Sequence, residues 1–131
     1  MSVKVKICGI TKIEDVHFLE EAKADFAGFV FHPSSSRHLS FEQANLIAKE
    51  LHPSIKKVAL AVDPDDHLTE NMIEAITPDY IQLHGSETSK RVKEINKMGI
   101  KVIKAIKVKE QKDVAQYKNY EDIADLILFD S

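Results

Sequence analysis

The residues best able to do chemistry stand where apolar runs stop. Cys8 is the only cysteine, and it lies in Lys6-Ile7-Cys8-Gly9-Ile10-Thr11, where the alternation of Val3, Val5 and Ile7 with Lys4 and Lys6 breaks at a glycine. Thr11 and Glu14 have the spacing of a capping box, which predicts a helix start just after the thiol. The positive end of a helix dipole favours thiolate over thiol, and the thiolate is the reactive form. Arg37 stands in the serine-rich stretch 33–38, Gln82 and His84 close the short apolar run that begins at Tyr80, and Asp130 closes the final one. Gln82 and His84 are expected to line a pocket. His17, His32, His38, His52 and His67 show no ligand spacing, so no metal site is expected.

Residues so far apart in sequence need elements that bring strand ends together. Apolar positions Val16, Leu19 and Ala22 place one face of a helix in 12–23, and 25–31 is an apolar run suited to a parallel strand buried on both faces. Ser40 and Gln43 form a second capping box, followed by Ala44, Ile47, Ala48 and Leu51 at helical spacing. A third strand over 56–62 leads to a helix marked by Leu68, Met72, Ile73 and Ile76 and ended by Pro78. The strand starting at Tyr80 precedes a helix that Ser86 is placed to cap and Gly99 to stop. A strand over 101–106, a weaker helix within 111–120 and a strand over 124–129 complete the chain. Strand and helix alternate strictly at intervals of roughly 20 to 25 residues, the pattern of parallel βα units with right-handed crossovers.

With 131 residues, 44% of them hydrophobic and 30% charged, the chain suits one globular domain over 1–131 and is too short for two ordinary ones. A formal net charge of -3 without a long basic run gives no electrostatic case for a nucleic-acid partner. A single cysteine cannot form an internal disulfide, and no apolar stretch approaches the roughly 18 residues of a membrane span. The expectation is a cytoplasmic protein without a membrane partner.

In this setting the chain resembles the phosphoribosylanthranilate isomerases of tryptophan biosynthesis, which are built on a (β/α)8 TIM barrel. The resemblance is carried by Lys6-Ile7-Cys8-Gly9-Ile10-Thr11, by Gly28-Phe29-Val30-Phe31 with Pro33, Ser36 and Arg37, by Gln82-Leu83-His84-Gly85 and by Leu128-Phe129-Asp130-Ser131. It implies a TIM-barrel-type α/β fold cut to about six βα units, because the family continues through two further units whose glycine-rich loops hold the substrate phosphate. It also implies an Amadori rearrangement of N-(5-phosphoribosyl)anthranilate, an aldose–ketose isomerisation that uses no cofactor and no metal. By the same resemblance Asp130 is the general acid, Cys8 the general base, and Arg37 the residue that pairs with the anthranilate carboxylate. Burial would have to raise the Asp130 pKa while the thiol moves down, the usual divergence of an acid/base pair.

Three alternatives stand beside that expectation. The chain could be a folded but inactive fragment of such an enzyme, lacking the phosphate-binding units. Asp63 at the end of the third strand and Lys104 in the fifth also suit a receiver-type signalling domain, and the sheet could be rearranged into a flavodoxin-like order. An open barrel would leave the first and sixth strands with bare edges, so self-association through them, or a local rearrangement near Asp130, is expected.

Overall fold

The computed structural model describes residues 3–131. Strands and helices alternate as β1 (Lys6–Cys8), α1 (Ile13–Glu21), β2 (Phe26–Val30), α2 (Phe41–Lys49), β3 (Lys56–Ala61), α3 (Asp66–Ile76), β4 (Tyr80–Leu83), α4 (Ser89–Asn96), β5 (Lys101–Lys107), a 3-10 helix (Gln111–Asn119) and β6 (Leu126–Asp130). Every pairing is parallel and follows chain order from β1 to β6, and the sheet curls into an open half-barrel. A flavodoxin-like or receiver sheet needs the chain to reverse direction and enclose β1 between neighbours. Here β1 is an edge strand, and both alternatives are corrected by that order. The region near Asp130 is not rearranged: Asp130 pairs in register with Lys107, and its carbonyl accepts the N–H of Val108 at 2.7 Å.

Because side chains alternate along a strand, each β-strand serves two interiors. Ala27, Phe29, Ala59, Ala61, Ile81, Leu83 and Val102 point outward and pack against Val16, Leu19, Ala44, Ile47, Met72, Ile76, Val92 and Ile95 of the helices. Each large side chain fully buried there, Phe29 and Met72 among them, contributes about 1.5–3 kcal/mol. The intervening Gly28, Val30, Val58 and Gln82 face the concave side, which is why β2 and β3 read as nearly continuous apolar runs.

The helix ends show where local signals compete with tertiary ones. The Ser40–Gln43 box forms as expected, with Gln43 N–H donating to Ser40 Oγ at 3.1 Å and Ser40 N–H to Gln43 Oε1 at 3.0 Å. Thr11 and Glu14 do not form one. Helix α1 begins later, and the Asp15 carboxylate accepts the N–H groups of Thr11 and Lys12 at 3.0 and 3.1 Å. Ser86 does not cap α4 either; Thr88 does, accepting Arg91 N–H at 3.1 Å, because the Ser86 N–H is held by Asp63. The segment 111–119 tightens into a 3-10 helix that buries none of its residues. It has no apolar stripe to lay on the sheet, and packing is what usually sustains a short α-helix.

A structural repeat is present that the sequence does not display as one. Asp25, Asp79 and Asp125 immediately precede the even strands, and their carboxylates accept the N–H groups of Val5, Lys57 and Val102 at 2.7, 2.9 and 2.8 Å. Each aspartate's own N–H donates back to the carbonyl of the same residue. Three strand pairs are thereby clamped at the end of the sheet opposite the catalytic rim of this fold class.

Both sheet edges carry exposed apolar groups. Val5, just before β1, and Ile7 within it are 43% and 40% exposed, with Phe18 of α1 at 66%, while Leu126 and Phe129 on β6 are 43% and 51% exposed. Among the described residues no helix is long and apolar enough to cross a membrane. The clamps predict that Asp79→Ala, which strips the part-buried Lys57 N–H of its acceptor, lowers unfolding free energy by about 1–3 kcal/mol in urea titration.

Candidate active site

Parallel strands in chain order send every carboxyl end to one rim, and a cavity of about 540 Å³ opens there. Its walls come from the loop after β2 (His32, Ser35, Arg37), the end of β3 and its loop (Leu60, Val62, Asp63), the loop after β4 (His84, Gly85, Ser86), and the ends of β5 and β6 (Lys107, Asp130). That volume suits a small organic ligand. Three of the expected residues, Arg37, His84 and Asp130, therefore meet on one surface although as many as 93 positions, the difference between 130 and 37, separate them.

His84 Nε2 lies 2.9 Å from Asp130 Oδ2, and its Nδ1 lies 3.3 Å from Gln82 Nε2. The side chains of His84 and Asp130 are 21% and 45% exposed. The burial expected around Asp130 is thus not supplied here, and an imidazole faces it instead. Gln82 does not line the cavity; it is buried beneath His84. Arg37 reaches across the rim and donates from Nη1 to the Cys8 carbonyl at 3.0 Å. Its guanidinium lies over Gly9, whose positive φ of 86° and missing Cβ make the close approach feasible. Among the described residues no carboxylate pairs with Arg37, so its charge is available to an anionic ligand.

Cys8 lies at this rim but outside the lining of the large cavity; it borders a smaller one of about 250 Å³ between β1 and α1. Its thiol lies on the concave side, since a Cβ built on the neighbouring Gly28 would fall 2.9 Å from Cys8 Sγ. Gly28 therefore makes the space that the thiol occupies. Among the described residues no three His, Cys, Asp or Glu side chains gather as a metal site.

Sequence reasoning missed the group that holds the rim in shape. Glu87 is 2% and Lys104 3% exposed, and Lys104 Nζ donates to Glu87 Oε1 at 2.7 Å and to the Gly85 carbonyl at 2.8 Å. The Glu87 carboxylate also accepts the N–H groups of Asp63 at 2.7 Å and Gly85 at 3.0 Å. Tyr120 donates its hydroxyl to the Glu87 carbonyl, and burial, aided by the Glu87 charge, raises its phenol pKa above the usual value. Asp63, held at a φ of 45°, turns its carboxylate to Ser86 N–H, and a Cβ on Gly85 would collide with that carboxylate. The Asp63 and Lys104 that suggested a receiver domain are thus joined through Glu87, whose carboxylate accepts the Asp63 N–H and pairs with the Lys104 ammonium. A lysine inside a strand otherwise buried on both faces was the available signal; nothing in His84-Gly85-Ser86-Glu87 marks its glutamate as internal.

Comparison with known proteins agrees with this arrangement. Residues 5–131 match the family model described as N-(5'-phosphoribosyl)anthranilate (PRA) isomerase. The chain belongs to that family. An N-(5'-phosphoribosyl)anthranilate isomerase of Parvibaculum lavamentivorans is 45% identical over the whole chain, and one of Rhodopseudomonas palustris strain CGA009 is 42% identical. The chain spans 61% and 62% of the length of these two relatives. A crystal structure of phosphoribosyl anthranilate isomerase in complex with reduced 1-(o-carboxyphenylamino)-1-deoxyribulose 5-phosphate superposes with a TM-score of 0.91 at 37% identity, covering 98% of this chain and 65% of that one. The Thermotoga maritima isomerase superposes with a TM-score of 0.90 at 37% identity, covering 98% of this chain and 61% of that one.

The loop clamp gives a direct expectation for this member of the isomerase family. Lys104→Met leaves the Glu87 carboxylate buried without its counter-charge and should lower stability by about 3–5 kcal/mol, read as a fall in the urea midpoint.

Proposed function

We propose that this chain carries the acid/base machinery of a cytoplasmic phosphoribosylanthranilate isomerase, which converts N-(5-phosphoribosyl)anthranilate into 1-(2-carboxyphenylamino)-1-deoxyribulose 5-phosphate. The observation that supports it best is the convergence of Arg37, His84 and Asp130 on one cavity, with Cys8 tied to its rim through Arg37, in a chain of that family. In this reading the Asp130 carboxyl protonates the furanose ring oxygen as its bond to C1 breaks, which opens the sugar to a protonated imine. The Cys8 thiolate then removes the proton from C2. The C–H electron pair forms the C1–C2 double bond and the imine pair returns to nitrogen. Proton loss from the C2 hydroxyl and protonation at C1 complete the aminoketose.

Arg37 supplies a bidentate partner for the anthranilate carboxylate, and His84 contacts the acid from within the cavity. A second reading is favoured by the fraction of the relatives that the chain spans. Remote phosphate contacts normally direct binding energy to the reacting centre, so acid and base could be in place without turnover. A steady-state assay following loss of substrate fluorescence at high protein concentration decides between them. Under the first reading Asp130→Asn and Cys8→Ala each lower kcat by about 10²- to 10⁴-fold, while Arg37→Ala mainly raises KM. No turnover from the unsubstituted chain selects the second.

The partner reading is a second copy of the chain. The bare strands β1 and β6, each with exposed apolar side chains, fit edge-to-edge association. Sedimentation should show mass rising with concentration, and Val5→Lys combined with Leu126→Lys should return the chain to a monomer. A monomer at every concentration would overturn this part of the reading.

A further inference from the structure

Gln82, His84 and Asp130 form a line from beneath the cavity to its surface. Gln82 is 2% exposed, while the side chains of His84 and Asp130 are 21% and 45% exposed. Gln82 Nε2 faces His84 Nδ1 at 3.3 Å, and Gln82 Oε1 is buried without a hydrogen-bond partner. An amide whose far end makes no bond can turn half a revolution about its last torsion and lose nothing there. The turn exchanges a donor for an acceptor at His84.

Each orientation dictates what the imidazole does on its other side. With the NH2 group facing Nδ1, that nitrogen must offer its lone pair, so the proton is on Nε2 and is donated to an ionised Asp130 at 2.9 Å. With the carbonyl facing Nδ1, that nitrogen carries a proton. Nε2 then either bears a second proton beside the carboxylate or accepts one from a protonated Asp130. The two arrangements differ by one proton, exchanged with solvent at the exposed end of the line.

We propose that Gln82 is a positioning residue whose amide orientation is coupled to the proton held by the His84–Asp130 pair. The orphaned amide end makes the coupling feasible, since a second fixed bond would lock one orientation and penalise one protonation state. The other titratable or charged groups that line the same cavity are His32, Arg37, Asp63 and Lys107, and the partner of Nδ1 is Gln82 rather than any of them. The bearing on catalysis rests on the reading proposed above, because the proton-loaded arrangement is the one in which Asp130 can serve as an acid.

The test is a pH titration of the whole chain followed by ¹H–¹⁵N correlation of the histidine rings and glutamine side-chain amides, with His84 assigned by its loss in His84→Gln. Above its midpoint His84 should be the Nε2–H tautomer, and the Gln82 amide signals should move with the same midpoint as the ring. In Gln82→Leu, which fills the volume and removes the orphaned oxygen, the His84 midpoint should fall by about half a unit or more as the imidazolium loses its acceptor. Gln82 signals that stay still through the His84 titration, a neutral ring protonated on Nδ1, or an unchanged midpoint in Gln82→Leu would overturn the coupling. Should Gln82→Leu not fold, the titration of the unsubstituted chain decides alone. None of these readouts involves turnover: a coupled titration in a chain without isomerase activity sinks the enzyme reading and leaves this inference, and an active chain with a static Gln82 does the reverse.

Discussion

A carboxylate excluded from water has to be matched completely, and the Glu87 carboxylate is matched by the Lys104 ammonium and by two backbone N–H groups. That requirement ties the loop after β3, the loop after β4 and strand β5 into one unit. Gly85 is held at its nitrogen by Glu87 and at its carbonyl by Lys104, which leaves the preceding His84 little freedom. The imidazole that faces Asp130 is therefore placed by an ion pair that does not line the large cavity. Buried pairs of this kind often contribute little net stability, and this one has its remaining hydrogen-bonding capacity taken up by the Asp63 and Gly85 N–H groups and the Gly85 carbonyl.

The parallel order of the sheet turns that local geometry into a site. Cys8 ends β1, Asp130 ends β6, and the intervening strands deliver Arg37 and His84 to the same rim. The opposite rim is occupied by the aspartate clamps, which bind strand starts to one another. One end of the sheet thus holds the strand starts together, and the other opens the cavity that Arg37, His84 and Asp130 line. Arg37 joins the two halves of the candidate site, with its side chain on the Cys8 carbonyl and its charge on the cavity that Asp130 also lines.

Much of this was legible in the chain itself, and the reasons differ by element. Strands β2 and β3 were visible because both faces are largely covered over 27–30 and 58–61, where every residue is apolar. Helix α2 was visible because its cap is a reciprocal bond between Ser40 and Gln43, residues three apart that need no outside help. The cap of α4 was misread for the converse reason: Ser86 is diverted to Asp63, whose place beside it exists only after folding. At α1 the local signal was offset by one position, with the Asp15 carboxylate taking the role expected of Glu14.

Residue type and periodicity therefore determined the alternation of strands and helices, the ends at which Cys8, Arg37, His84 and Asp130 fall, and the family they resemble, because each is expressed over a few neighbouring positions. Tertiary structure alone decided that His84 bonds Asp130, that Gln82 lies under the pocket with one amide end unmatched, and that Cys8 borders a different cavity from Asp130. Those relations depend on how tightly the sheet curls and on which buried charges find each other across distant loops. Both are settled by long-range packing and desolvation, for which no short stretch of sequence carries a mark.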